Sequence, residues 1–100
     1  MKRRVIAGVS LSVMMMAMSA HAETVKIANI AELSGPGAAA GSVWSDGVDL
    51  AIDEINANGG ILSMQVDMSK YDTQTDPQVS RALVQKAIDE GAFALLGTVY

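Results

Sequence analysis

The sequence predicts an α/β fold, a β-α-β-α-β start of a doubly wound parallel sheet with strand order 2-1-3. Three observations carry that prediction. Val25–Ala31 and Ala92–Leu96 are short, almost wholly apolar runs, the pattern of strands buried on both faces. Met64–Lys70 alternates with period two, the pattern of a strand with one wet face. Two segments of helical period separate the three, so each strand returns to the sheet through a right-handed crossover that makes it parallel to its predecessor. The apolar first and third strands then belong inside the sheet, and the alternating second strand belongs at its edge.

Residues 1–22 stand apart from this pattern. Lys2, Arg3 and Arg4 form a basic start, Val5 to Met18 is apolar except for Gly8, Ser10 and Ser12, and Ala20-His21-Ala22 offers small residues where a signal peptidase reads. This is the order of a secretory signal, with cleavage expected after Ala22 and the mature chain expected to begin at Glu23 outside the cytoplasm. A spanning helix needs about 20 apolar residues, so a membrane anchor is the weaker reading. No cysteine follows the apolar run, which excludes a lipid anchor there.

The first strand runs from Val25 to Ala31, with Lys26 and Asn29 as its polar exceptions. A small-residue loop, Ser34 to Gly41, leads to a helix expected over Val43–Ala57. Trp44, Val48, Ala51, Ile52 and Ile55 share one stripe of that helix, and Asp46, Asp49, Asp53 and Asn56 oppose it. Asn58-Gly59-Gly60 ends it, glycine supplying the left-handed cap. In the second strand Met64, Val66 and Met68 face one way and Gln65, Asp67 and Ser69 the other. Asp72–Asp76 is a polar turn. Asp76 caps the second helix and Pro77 suits its first position; Val79, Leu83, Val84, Ala87 and Ile88 form its apolar face, and Gly91 closes it. After the third strand, Gly97-Thr98-Val99-Tyr100 begins a loop. Sheets usually carry about 4–6 strands, so the chain reads as the opening piece of a larger α/β domain.

Charge and composition remove several function classes. Without the signal, four basic residues (Lys26, Lys70, Arg81 and Lys86) face the chain's 11 acids, a balance of −7. That suits neither nucleic acid nor an anionic membrane surface. The chain has no cysteine, and its one histidine, His21, leaves with the signal. Residues 23–100 therefore hold no Ser–His or Cys–His nucleophile pair and no Cys/His zinc site, and no enzyme is expected.

Gly35-x-Gly37-x-x-Ala40 fits the dinucleotide fingerprint in form, but Pro36 removes an N–H from the turn and the acid expected about 20 residues on is missing. No cofactor is expected. Asp72 and Asp76 are too few for calcium, which takes 6–8 oxygens, and Asp76 already has a capping role. Trp44 reads first as core packing and second as a ring that stacks on a ligand. The stronger site argument is topological. Open α/β sheets bind ligands at the carboxyl ends of strands where the order reverses. With order 2-1-3 that point lies between strands one and three, flanked by Leu33–Gly41 and Gly97–Tyr100. Ser34, Ala40, Trp44, Thr98 and Tyr100 are the candidate ligand-binding residues.

These loops and the helix between them resemble the periplasmic solute-binding proteins of ABC importers, specifically the leucine/isoleucine/valine-binding type. The residues that carry the resemblance are Leu33-Ser34-Gly35-Pro36, the run Gly47 to Ile61, Tyr71-Asp72, Asp76-Pro77 and Leu95-Leu96-Gly97. Their order and spacing over Thr24–Tyr100 make the match specific. It implies two α/β lobes that close over a small ligand (branched-chain or other amino acids, amides, urea or aromatic acids) and an ABC permease as partner. Residues 23–100 are then part of the first lobe and are expected to bind ligand weakly or not at all alone. In leucine-type members an aromatic residue before the loop glycine packs on the ligand. That position is Ala40 here, which points to a differently shaped pocket. Those members also carry a disulfide between the positions of Thr75 and Tyr100, which this chain lacks. The family's carboxylate-gripping hydroxyl would fall just past Tyr100. The same fold also serves sensory ectodomains, which a downstream transmembrane helix would mark. An exported α/β enzyme would need catalytic groups at the strand ends. A truncated product would have no function of its own.

Overall fold

A computed structural model describes residues 23–100; the secretory-signal reading concerns residues 1–22 and lies outside the described residues. The elements follow in the expected order: β1 (Thr24–Ala31), α1 (Ala38–Ala57), β2 (Gln65–Asp72), α2 (Pro77–Asp89) and β3 (Ala94–Leu96). All strands are parallel and the sheet order is β2-β1-β3. β1 pairs with β2 along its whole length, Thr24 with Gln65 through Ala31 with Asp72. Its pairing with β3 covers only Ile27–Asn29 against Ala94–Leu96. As the central strand β1 carries the core: Ala28, Asn29, Ile30 and Ala31 are all buried. β2 keeps its alternation, Val66 buried and Met68 half-buried between exposed Gln65, Asp67 and Ser69.

α1 begins at Ala38, not at Val43 as its apolar stripe suggested. Alanine is the best helix former, so Ala38-Ala39-Ala40 joins the helix although its small side chains resemble a loop. Ala40 therefore sits in the first turn of α1. The face turned to the sheet also differs from the expected stripe. Gly41 and Ser45 are its buried residues, continued by half-buried Val48, Ile52 and Ile55, while Trp44 is 40% exposed at the margin. The reason is close approach. A Cβ on Gly41 would lie 2.0 Å from the Glu32 carbonyl oxygen, so helix and loop backbone meet where only small residues fit.

Asn56, opposite the apolar stripe in sequence, is half-buried against β2. Its side-chain amide donates to the Val66 carbonyl (3.0 Å) and its oxygen accepts the Val66 N–H (2.7 Å), pairing the free edge of β2 as a strand would. Asp49, from the same acidic row, pairs with Lys70 of β2. Gly59 and Gly60 take positive φ (98° and 81°) beyond the Asn58 cap, as the sequence indicated.

The start of α2 matches its sequence signature. Asp76 accepts from the N–H of Gln78 (2.7 Å) and of Val79 (3.3 Å), and Pro77 occupies the first helical position. Ala87 packs on Ala28 and Ile30, with Leu83, Val84, Tyr71 and Ala92 around them. Ile88 is 53% exposed and lies off the expected face. The C-terminal end of α2 is fastened to β2 by the Tyr71 hydroxyl, which donates to the Glu90 carboxylate, and by Lys86, whose ammonium lies 5.7 Å from the Tyr71 ring centre. β3 is shorter than its apolar run. Ala92 is drawn into the helix end by its N–H bond to the Ala87 carbonyl (3.0 Å), and Phe93 is 83% exposed.

Candidate functional site

The carboxyl edge of the sheet is built by three loops that grip one another. Asp72, the last residue of β2, is the hub of two of them. Its Oδ1 accepts the N–H of Leu33 (2.9 Å), Ser34 (3.1 Å) and Gln74 (2.8 Å), and its Oδ2 accepts the Ser34 hydroxyl (2.7 Å). The Ser34 hydroxyl bond and these amides hold the Asp72 carboxyl below the usual aspartate range. Thr75 adds a second tie. Its Oγ1 donates to the Ser34 carbonyl (2.8 Å) and accepts the Gly37 N–H (3.0 Å). Of the amides in the Gly35–Ala40 stretch, that of Gly37 is taken by Thr75, and the carboxylates of Asp72 and Asp76 accept backbone N–H groups.

The third loop is joined through Glu32. This residue follows β1 and is 2% exposed; its Oε2 accepts the Val99 N–H (3.1 Å) and its Oε1 the Tyr100 N–H (3.3 Å). The loops after β1 and β3 therefore meet at the switch point that the strand order indicates. Beside this joint, between the third loop and the loop after β2 with the start of α2, lies a cavity of about 260 Å³ lined by Glu32, Thr75, Asp76, Pro77, Ser80, Thr98 and Tyr100. A neighbouring recess of about 390 Å³ is bounded by Pro36, Gly37, Thr75 and Tyr100. Thr75 and Tyr100 line both spaces.

Of the candidate residues, Thr98 and Tyr100 line this crevice. The Thr98 hydroxyl donates to the Tyr100 carbonyl (2.7 Å), and the Tyr100 ring is 76% exposed. Ser34 stands at the first loop with its hydroxyl turned to Asp72. Ala40 is half-buried in the first turn of α1. Trp44 belongs to a separate pair of contacts beneath α1: its Nε1–H donates to Asn29 Oδ1 (3.1 Å), and Asn29 Nδ2 donates to Ser45 Oγ (3.0 Å). Its ring is thus oriented by a polar strand residue rather than packed in the core. Sequence reasoning did not single out Glu32, Asn29 or Thr75 as site residues. Asn29 carried a signal all the same, since a polar residue in a buried strand has to find partners.

Two other spaces are remote from these loops. One, about 530 Å³, lies at the amino ends of β1 and β3 beside Ile61, Leu62 and Phe93; the other, about 350 Å³, lies between α2 and the sheet beside Lys26, Tyr71 and Glu90. Neither is at the carboxyl edge, where open α/β sheets hold ligands.

Residues 24–100 match the family model described as periplasmic binding protein. The chain belongs to the periplasmic binding protein family. Among its relatives, the Leu/Ile/Val-binding protein of Escherichia coli is 35% identical over 78 residues, covering 78% of this chain and 21% of the relative. The leucine-specific-binding protein of Salmonella typhimurium is 36% identical over 101 residues, covering 97% of this chain and 27% of the relative. Among solved structures, the branched-chain amino acid transporter substrate binding protein LivJ of Streptococcus pneumoniae, in complex with isoleucine, superposes with a TM-score of 0.75. It shares 31% identity over 76% of this chain and 22% of that one. The chain spans about a fifth of the length of the Leu/Ile/Val-binding relative it matches (21%). The names of these relatives describe binding proteins. The resemblance drawn from the loop and helix motifs, the α/β class and the 2-1-3 sheet all hold for this periplasmic binding protein chain.

Proposed function

We propose that residues 23–100 form one wall of the ligand crevice in an exported solute-binding component of an ABC importer. The observation that carries this reading is the meeting of the loops after β1 and β3 at the switch point, through Glu32 and the amides of Val99 and Tyr100. The ligand is a small amino acid or carboxylate, as the relatives' names suggest by likeness. The α2 side of the crevice is lined by two carboxylates, Glu32 and Asp76, with no lysine or arginine. A second lobe completes the pocket, and closure over the ligand shifts the population toward the shape that an ABC permease engages. Residues 1–22 are the export signal, cleaved after Ala22, and the protein works in the periplasm as part of the first lobe.

Thermal unfolding of the exported protein that carries residues 23–100, against a panel of amino acids, amides and aromatic acids, tests the reading. A ligand at a hundred times its Kd stabilises by about 2.7 kcal/mol, so at least one compound should raise the Tm by several degrees. A flat panel would contradict a solute-binding role. Mass spectrometry of the exported protein should find Glu23 at its amino terminus.

A further inference from the structure

We propose that Glu32 is a positioning residue of the crevice, its buried carboxylate strapping the Val99–Tyr100 backbone to the carboxyl end of β1 and so fixing the wall formed by Thr98 and Tyr100. The proposal rests on the crevice reading above. The ladder between β1 and β3 ends at the Asn29–Leu96 pair, whereas β1 continues through Ile30 and Ala31. Beyond Leu96 the third loop does not pair with β1. The two Glu32 oxygens take up the next available amides, at 3.1 Å and 3.3 Å, from residues 67 and 68 positions away in the chain. Charge-assisted bonds of this kind are stronger than neutral ones.

The carboxylate is also committed to this task. Glu32 is 2% exposed, and the ion pairs among the described residues, Lys70–Asp49 and Lys86–Glu90, leave it without a cationic partner. A buried carboxylate needs donors, and the strap supplies them. Its main chain is fixed as well. A Cβ on Gly41 would meet the Glu32 carbonyl oxygen at 2.0 Å, and one on Gly97 would meet the Ile30 carbonyl oxygen at 2.0 Å. Helix α1, the end of β1 and the start of the third loop thus touch backbone to backbone around this side chain. What remains adjustable is the segment after Gly97, and Glu32 sets its place.

The test measures amide hydrogen exchange by NMR in the exported protein carrying this chain, with L-isoleucine as the binding probe. In Glu32→Ala the Val99 and Tyr100 amides should exchange at least about ten-fold faster while those of Ala28–Ile30 keep their rates. Glu32→Gln, which retains one acceptor oxygen, should fall between. Isoleucine affinity, measured well below the Tm of every variant, should drop in the same order, a loss that a merely structural role would not produce where each variant is folded. Val99→Pro removes one donor while leaving Glu32 in place, and should loosen the Tyr100 amide. It decides the matter should Glu32→Ala fail to fold. Wild-type exchange rates at Val99 and Tyr100 in Glu32→Ala, a Tyr100 amide unmoved in Val99→Pro, or an unchanged isoleucine affinity in folded Glu32→Ala would overturn the proposal. If the wild-type protein ignores isoleucine, the panel of ligands judges the crevice reading, and the exchange rates judge the strap.

Discussion

Replacing Asp72 with alanine removes the joint between the first and second loops, and its cost can be worked from the four bonds that the carboxylate accepts. Hydrogen bonds to a charged group contribute about 1.5–3 kcal/mol each when buried. Only the bond from the Leu33 N–H is partly buried; those from Ser34 and Gln74 are exposed, and water replaces much of their value. Taking the low end for Leu33 and about 0.5 kcal/mol for each exposed bond, Asp72→Ala should cost about 3 kcal/mol. Asp72→Asn keeps an acceptor for the amides but loses the charge, and should cost about half as much. Urea unfolding, followed by fluorescence of the single tryptophan, measures both. The pH dependence supplies a second check. The carboxyl pKa of Asp72 is lowered in the folded chain. Its contribution is therefore complete above the unfolded value of about 3.9 and is lost as pH falls through the folded one. The gap between wild type and Asp72→Asn should close in strong acid. A loss below about 0.5 kcal/mol for Asp72→Ala at neutral pH, or a gap that widens in acid, would refute this account of the loop joint.

Two glycines of α1 should respond with opposite sign. Gly41→Ala forces a Cβ to 2.0 Å from the Glu32 carbonyl and should cost about 1–3 kcal/mol or more, whereas Gly47, with nothing within 4 Å, should gain about 0.5–1 kcal/mol as alanine; denaturant midpoints read both. Asn56→Ala leaves the Val66 N–H and carbonyl without partners on the edge of β2 and should cost about 1–3 kcal/mol, measured the same way. Asn29→Ala frees the indole N–H of Trp44 and should lower its fluorescence anisotropy; an unchanged anisotropy would mean that Asn29 does not hold the ring.

The fold was legible because hydrophobic period and turn residues report it directly. Apolar runs of period neither two nor 3.6 marked β1 and β3, alternation marked β2, and Asp76-Pro77 placed the start of α2. Two of the differences share one cause: polarity was taken as a guide to exposure. Trp44 counted as core because it is large and apolar, yet the surface of α1 nearest the sheet is Gly41 and Ser45, which are small because two backbones touch there. Asn56 was set opposite the apolar stripe with Asp46, Asp49 and Asp53, yet it pairs a strand edge. Ala38–Ala40 counted as loop because small residues in a glycine-rich stretch give no helical period. For the site, the strand order points to the carboxyl ends of β1 and β3, and the structure sets Thr98 and Tyr100 beside a cavity there. Glu32 was hidden because its partners are backbone amides 67 and 68 residues away, which no local pattern encodes.

The most direct test of the crevice is chemical-shift mapping on the exported protein that carries residues 23–100, titrated with L-isoleucine and the other compounds of the ligand panel. The account predicts that the bound compound moves the amides of Leu33–Gly41 and Gly97–Tyr100 together. Shifts confined to the groove beside Ile61, Leu62 and Phe93, or to the cavity beside Lys26, Tyr71 and Glu90, would contradict it.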